Sequence, residues 1–418
     1  MNIQKKIRQA FFLLLPFGLL VGCESGGGLS APLSSSTAES SSSSAVEKVD
    51  YSKGRAMNRK LGKGINFGNS WESNGNGCLD ACWSNPIADD DFKLAKDAGF
   101  NSIRLPVNWN RTASNEPPYT VEPERLAGVK RHIQLAIDQG LPVITNIHHF
   151  DALYNADSLE VMRRQIAKFA GIWRQLSEAF KEFPDDMLVL EILNEPRNKI
   201  TKDILNELID SAYTIIREKN PGKTIMFNPN EYGKFYRMGE MKLPKDGNII
   251  ISGHYYELYT FTHQGSHGQK CGNTTWGTTA DKMLVTSHFK AYKDTALKYF
   301  PDINGGHVPL NNGEFGVSGV RTGLGTNPAI CSPTWLFPEL TEEEISFLSN
   351  AEIAARAFPS DEERGQWTKA VIEATDDLDM SWHYWGFNRV GGYEVYDKGT
   401  KEWFRPVLEA LIPNSPLL

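Results

Sequence analysis

The sequence predicts an α/β fold: a single (β/α)8 TIM barrel of alternating parallel strands and helices, with an extended insertion after strand seven. Three observations predict it. The stretch 187–196, MLVLEILNEP, is a continuous apolar run that stops on Asn194, Glu195 and Pro196. A strand buried on both faces ends this way where it opens onto a loop. Short apolar runs of the same kind recur along the chain, most of them separated by amphipathic helical stretches. Polar and ionisable residues then gather at the C-terminal ends of those runs, the face on which such barrels carry their chemistry.

The chain opens with a targeting segment, residues 1–22. Lys5, Lys6 and Arg8 precede an apolar run, 10–21, that is too short to span a bilayer. It ends in Leu20-Val21-Gly22-Cys23, which resembles a bacterial lipobox with Cys23 as the lipidated first residue of the mature chain. Residues 23–50 are rich in Ser and Gly and read as a disordered tether. The expectation is an exported bacterial lipoprotein on the outer membrane or cell surface, or otherwise a secreted protein. Residues 51–418 are expected to form one catalytic domain.

Within that domain strand one is 64–69 (GINFGN), and a helix over 88–99 stops at Gly99. Strand two is 102–107, followed by a helix over 123–140. Strand three is 142–149. The helix over 159–180 places Leu159, Met162, Ile166, Phe169, Trp173, Leu176 and Phe180 on one face. Strand four is the opening stretch, and a helix over 202–219 ends before Pro221. Strand five, 223–228, leads into a segment without a clear helix. Strand six is 249–256, with a helix over 280–299. Strand seven is 308–315. The insertion, 317–378, closes with a helix over 366–375. Strand eight is 380–387, and a last helix is expected over 402–411.

With 44 Lys and Arg against 51 Asp and Glu, the net charge of −7 argues against a nucleic-acid partner and suits a neutral one such as a sugar polymer. Beyond Cys23 four cysteines remain, and an even number in an exported chain suggests disulfides. The C-x3-C spacing followed by two distant cysteines fits a zinc site poorly. Cys78–Cys82 is the expected local bridge. Cys271–Cys331 is the expected long one, because the loops after strands six and seven are neighbours on one face. No GxGxxG or GxxxxGK loop is present, and no metal or organic cofactor is expected.

The strand ends bring Asn69 and Glu72, Arg104, His148 and His149, Asn194 and Glu195, His254 and Tyr256, Glu314, and Trp382, His383 and Trp385. Two carboxylates on strands four and seven fit glycoside hydrolysis, which needs one acid for the leaving oxygen and one carboxylate for the anomeric carbon. Arg104 is expected to keep Glu314 ionised. Burial and the neighbouring charge are expected to raise Glu195. A zinc hydrolase built on His148, His149 and His254 lacks an HExxH pair, and adjacent histidines on a strand would point to opposite faces.

The motifs GINFGN, SIRLPVNW, NIHH, LEILNEP, HYY, GEFG and SWHYW resemble glycoside hydrolase family 5, cellulase family A, from about residue 64 to 411. FTHQG at 261–265 and GYEVYD after strand eight resemble its branch of thermophilic endoglucanases with mannan side activity. The resemblance implies Glu195 as acid/base and Glu314 as nucleophile, with Arg104, His148, Asn194, His254 and Tyr256 supporting the transition state. It implies Asn69, Glu72, His149, His263 and Trp385 as substrate contacts. The implied activity is that of a retaining endo-β-1,4-glucanase on cellulose or mixed-linkage β-glucan. Separately, the chain is expected to be a monomer tethered by the lipid anchor that the lipobox indicates. The alternatives are an endo-β-1,4-mannanase or mixed enzyme, and a non-catalytic glycan-binding lipoprotein. The branch's tryptophan after FTHQG reads Gly268 here, a position that Trp276 is a candidate to fill. The long insertion is expected to wall the cleft.

Overall fold

The computed structural model describes residues 46–418 apart from 76–77, 266–268, 273–275, 320–330 and 389–391. Cys23, the targeting segment and Gly268 lie outside the described residues. Eight parallel strands close a barrel in sequence order: β1 Lys63–Asn66, β2 Ser102–Leu105, β3 Val143–Asn146, β4 Leu188–Glu191, β5 Ile225–Phe227, β6 Ile249–Tyr255, β7 Leu310–Phe315 and β8 Ser381–Tyr384. Each strand is shorter than its apolar run because the runs continue into loops that remain buried.

The helices follow from capping as well as pattern. Ser158 accepts from the Val161 N–H at the start of the Leu159–Phe180 helix, and Thr278 and Asp281 form a reciprocal capping box on Thr279–Tyr299. Gly99 ends Asp90–Ala98 at φ 104°, which a side chain would resist. Between β5 and β6 the crossover is a short Asn230–Gly233 turn and a 3-10 segment, Phe235–Glu240, so no amphipathic period marks it.

Three regions differ from the expected map. A helix over Ser52–Leu61 precedes β1. It brings Met57 and Leu61 into one apolar cluster with Ile144, Val189, Met226 and Ile250 from inside the barrel, and so plugs its lower end. Residues 46–50, expected as the end of the tether, belong to the folded body. Val49 N donates to Pro301 O at 3.2 Å, and Ile303 N to Val49 O at 3.0 Å. The last helix is Arg405–Leu411, because Glu402–Trp403 pairs antiparallel with Tyr396–Asp397.

The insertion builds its own small core. Cys271, Cys331, Leu336, Phe337 and Ala357 cluster with Ile353, Phe358 and their neighbours. Its helices Glu342–Ser346, Asn350–Ala357 and Asp361–Asp376 each start on a capping box. Cys78 is bonded to Cys82 and Cys271 to Cys331, with α-carbons 5.6 and 5.1 Å apart. The second bridge ties the loop after β6 to the insertion.

The plug yields a direct expectation. Leu61→Ala should open a cavity between helix and barrel and cost about 2–5 kcal/mol, read as a lower denaturant midpoint with an unchanged slope. A loss below about 0.5 kcal/mol would show that the helix does not seal the barrel.

Candidate active site

Alternate strand residues point into the barrel. Above the apolar plug the inward positions turn polar. Asn66 on β1, Arg104 on β2, Asn146 on β3, Glu191 on β4 and Asn228 just past β5 form one buried layer. Arg104 spends all five N–H donors there. Nε and Nη2 reach the two oxygens of Glu191 at 2.8 and 3.2 Å. Nη1 reaches Asn66 Oδ1 at 2.9 Å and Glu314 Oε1 at 2.6 Å, and Nη2 reaches Asn194 Oδ1 at 2.6 Å. Asn146 and Asn228 complete Glu191 with amide bonds of 2.9 and 2.6 Å.

Glu314 arrives by a register shift. Gly253 pairs with Asn312, but the next residue, His254, pairs with Glu314. Gly313 is therefore an extra residue on β7, and such a bulge re-aims the side chain after it. Asn311 points inward, on Ser252 at 3.0 Å and Ser381 at 2.7 Å. Strict alternation would send residue 314 outward, and the bulge returns it to the barrel mouth. Only glycine fits there, since a Cβ on Gly313 would stand 2.4 Å from Ser252 Oγ.

Glu195 stands past the end of β4 with φ 47°, a left-handed position that its surroundings must enforce. Its N–H donates to Asn228 Oδ1 at 3.1 Å. Its Oε1 lies 2.8 Å from His254 Nδ1, which is 3.6 Å from Glu314 Oε2. One oxygen of each carboxylate and this ring nitrogen all lie within 4.8 Å of one another, the one group among the described residues with metal-ligating geometry. Tyr256 Oη donates to Glu314 Oε2 at 3.4 Å.

These residues stand at a cleft of about 840 Å³. Asn69, Glu72, His148, His149, Glu195, His254, Tyr256, His263, Glu314 and Trp385 line it, and Arg104 and Asn194 lie buried beneath. Trp385 stacks on the His148 ring at 5.7 Å and 9°. It lies flat over Gly68, where a Cβ would meet the indole at 2.6 Å. His148 and His149 both line the cleft because β3 has already ended, so the expectation of opposite faces does not apply to them. Trp382 and His383 do not reach it. His383 is held inside the barrel by Ser102 at 3.0 Å and Asn311 at 3.1 Å.

The expected order of proton affinities is reversed in the free site. Burial pushes Glu314 up, Glu195 adds to that, and His254 and Arg104 only partly offset it. Burial also acts on Glu195, but the His254 hydrogen bond and charge, with Arg197, hold it below the usual carboxylate range. The reason is geometric. His254 is nearer to Glu195, and Arg104 already shares its charge with Glu191. Burial holds His148 and His149 below their usual value, hence uncharged at neutral pH. It raises Glu72 to about 7, although the Asn69 and Ser70 N–H groups both donate to that carboxylate.

One further expectation is corrected, and residues 320–330 of the insertion lie outside the described residues. Trp276 packs in the main core against Phe261 and is not among the cleft residues, so it does not fill the aromatic position. No described residue of the insertion lines the cleft; the loop bonded to it supplies Tyr259 and His263. The sequence gives no role to Trp83, Arg197, Tyr232 or Lys234, which also line it, and marks Tyr393 and Glu394 only as part of the GYEVYD motif. Nor did sequence reasoning reach Glu191, although a lone carboxylate inside an apolar run is itself a signal.

Residues 63–331 match the family model described as cellulase, glycosyl hydrolase family 5. The chain belongs to glycosyl hydrolase family 5. This family 5 chain is 30% identical to Endoglucanase H of Acetivibrio thermocellus over 285 residues, 68% of its own length and 28% of that protein. Endoglucanase B of Clostridium cellulovorans is 27% identical over 260 residues, 57% of each chain. The chain thus spans less than two thirds of these curated relatives. Thermotoga maritima Cel5A, solved with mannotriose and with cellobiose, superposes with a TM-score of 0.69 at 28% identity, over 86% of this chain and all of that one.

The buried layer of this family 5 chain can be tested apart from activity. Glu191→Ala leaves Arg104 with one carboxylate where it had two. It should cost about 3–5 kcal/mol, the usual penalty for stripping a buried charge of its partner. Chemical denaturation measures this, and a cost under about 1 kcal/mol would show that water or another group takes over.

Proposed function

We propose that the chain is a retaining endo-β-1,4-glucanase acting on cellulose or mixed-linkage β-glucan. The observation that carries this is the carboxylate pair at the ends of β4 and β7, with oxygens within 4.8 Å of each other. Retaining pairs stand roughly 5–5.5 Å apart and inverting pairs about 6.5–9.5 Å. In this reading an oxygen of Glu314 bonds the anomeric carbon while the glycosidic C–O bond breaks and Glu195 gives its proton to the leaving oxygen. Water then attacks the glycosyl ester, returning its proton to Glu195 and releasing Glu314.

Only ionised Glu314 and protonated Glu195 can start this reaction. One proton shared by the pair supplies both states, and substrate must draw it from Glu314 to Glu195. Arg104 fixes Oδ1 of Asn194, so its Nδ2, 3.5 Å from His148 Nε2, is oriented to donate its other hydrogen to a sugar hydroxyl. Trp385 offers a flat apolar face to the sugar ring, and uncharged His148 and His149 suit a neutral polymer. A mixed glucanase and mannanase is the second reading, favoured by the mannotriose and cellobiose complexes of the similar Cel5A. The lipobox-like Leu20-Val21-Gly22-Cys23 and the Ser/Gly-rich stretch behind it support a lipid-tethered, exported protein.

A reducing-end assay across carboxymethyl cellulose, barley β-glucan, mannan, xylan and xyloglucan should show release from the first two. Silence on all five would discard the reading. Glu195→Gln should lose at least about a hundredfold in kcat, in line with general acid–base catalysis, and regain turnover with azide on an activated aryl glycoside. Glu314→Gln should show no such rescue with retained β-configuration, and the opposite pattern would exchange the two roles. Cys23→Ser should move the protein from the membrane fraction to the soluble one; a soluble, unlipidated wild type would remove the tether.

A further inference from the structure

Arg197, two residues after Glu195, is a charged group in the cleft that the catalytic scheme leaves unused, and it lies against the Glu195 carboxylate. We propose that Arg197 is a positioning residue that clasps the Asn194-Glu195-Pro196 corner and holds a fixed positive charge beside the Glu195 carboxylate. The inference rests on Glu195 being the acid/base of the proposed reaction.

Three consecutive carbonyls at the corner are each tied down. Tyr154 Oη donates to Asn194 O at 2.5 Å, Arg197 Nη1 to Glu195 O at 3.0 Å, and Tyr232 N to Pro196 O at 3.2 Å. The guanidinium sits between the same two tyrosines, 4.3 Å from the Tyr154 ring centroid and 5.2 Å from that of Tyr232. A planar cation can stack on two rings and donate in its own plane, which an ammonium cannot do. This gives the left-handed Glu195 backbone three independent restraints.

The same Nη1 lies 3.8 Å from Glu195 Oε2, with Arg197 only 13% exposed. Its other side meets Asp151 at 3.7 Å, a solvated carboxylate that offsets part of the charge. Glu195 is faced by His254 from β6, Glu314 from β7, His149 from the loop after β3, and Tyr256 and Tyr259 from the end of β6 and its loop. Arg197 is the one permanent cation among these groups. It favours ionised Glu195, as the second half of the reaction requires of a base, and so sets the basic edge of the activity.

The test compares Arg197→Gln, Arg197→Lys and Arg197→Ala. Gln keeps a donor for the Glu195 carbonyl but removes the charge; Lys keeps the charge but not the stack. The basic limb of kcat on soluble β-glucan, which reports the substrate-bound form with the proton on Glu195, should move to higher pH by about half to one unit in Gln and Ala, the effect of one charge near 4 Å in a water-like dielectric. In Lys it should stay, with kcat lowered. A titration of 13C-labelled glutamate followed by NMR reads the same carboxyl without substrate. Should Ala fail to fold, Gln and Lys decide the matter. Equal losses in the variants with an unmoved limb and an unmoved NMR titration would reduce Arg197 to a fastener and overturn the proposal. An upward NMR shift in a protein inactive on every glucan would uphold the clasp and condemn the glucanase reading instead.

Discussion

The site depends on one buried guanidinium. Arg104 is fully enclosed and satisfies Glu191, Glu314, Asn66 and Asn194 at once. A charge in that position is tolerable only with every donor paired, because an unpaired buried ion costs several kcal/mol. Replacing such a layer with apolar residues often leaves stability unchanged or higher, so stability does not explain it. What the layer supplies is placement. The bonds to Arg104 fix side chains from β1, from β4 and its end, and from β7, and one of them, Glu314, lines the cleft. Glu191 takes the other half of the charge, which is why Arg104 does not simply ionise Glu314 in the free site.

Much of this was legible in the sequence, and the limits have physical causes. Apolar runs ending in polar residues marked all eight strands, since a parallel strand buried on both faces has almost no other composition. The N-E-P and G-E-F-G ends marked the two carboxylates. The bulge at Gly313 was not legible. Period two counted from Asn311 points Glu314 away from the barrel, and only pairing with β6 shows the extra residue. The proton order was misjudged for a related reason. It depends on His254 standing 2.8 Å from one carboxylate and 3.6 Å from the other, a difference that spacing along a chain cannot encode.

The peripheral loops were legible in their chemistry and not in their placement. Four cysteines implied cross-links, yet an insertion leaving the catalytic face need not face the cleft. It had apolar residues enough to make a core of its own around Cys271 and Cys331. Its described residues act on the cleft at one remove, by holding the loop that carries Tyr259 and His263. Trp276 shows the same ambiguity at one residue. An indole in a loop-like stretch fits a sugar platform or a core equally well, and here Phe261 supplies the core.

The charges of the cleft nearly cancel, and this bears on what can enter it. Arg104, Arg197 and Lys234 contribute three formal positive charges. Glu191, Glu394 and the proton-sharing carboxylate pair contribute three formal negative charges, Glu72 is raised by burial to about 7, and His148 and His149 are held neutral by burial. A site balanced in this way offers no net attraction to an anionic chain and no repulsion to a neutral one. Affinity must then come from the Trp385 face and from hydroxyl contacts at groups such as Asn69 and Glu72. Contacts of that kind scale with the number of sugar units in the cleft, which favours a polymer over a single glycoside. Forming the glycosyl ester at Glu314 would move the pair's one negative charge from Glu314 to Glu195. The fixed cations would then stabilise Glu195 as the remaining carboxylate, ready to take a proton from water.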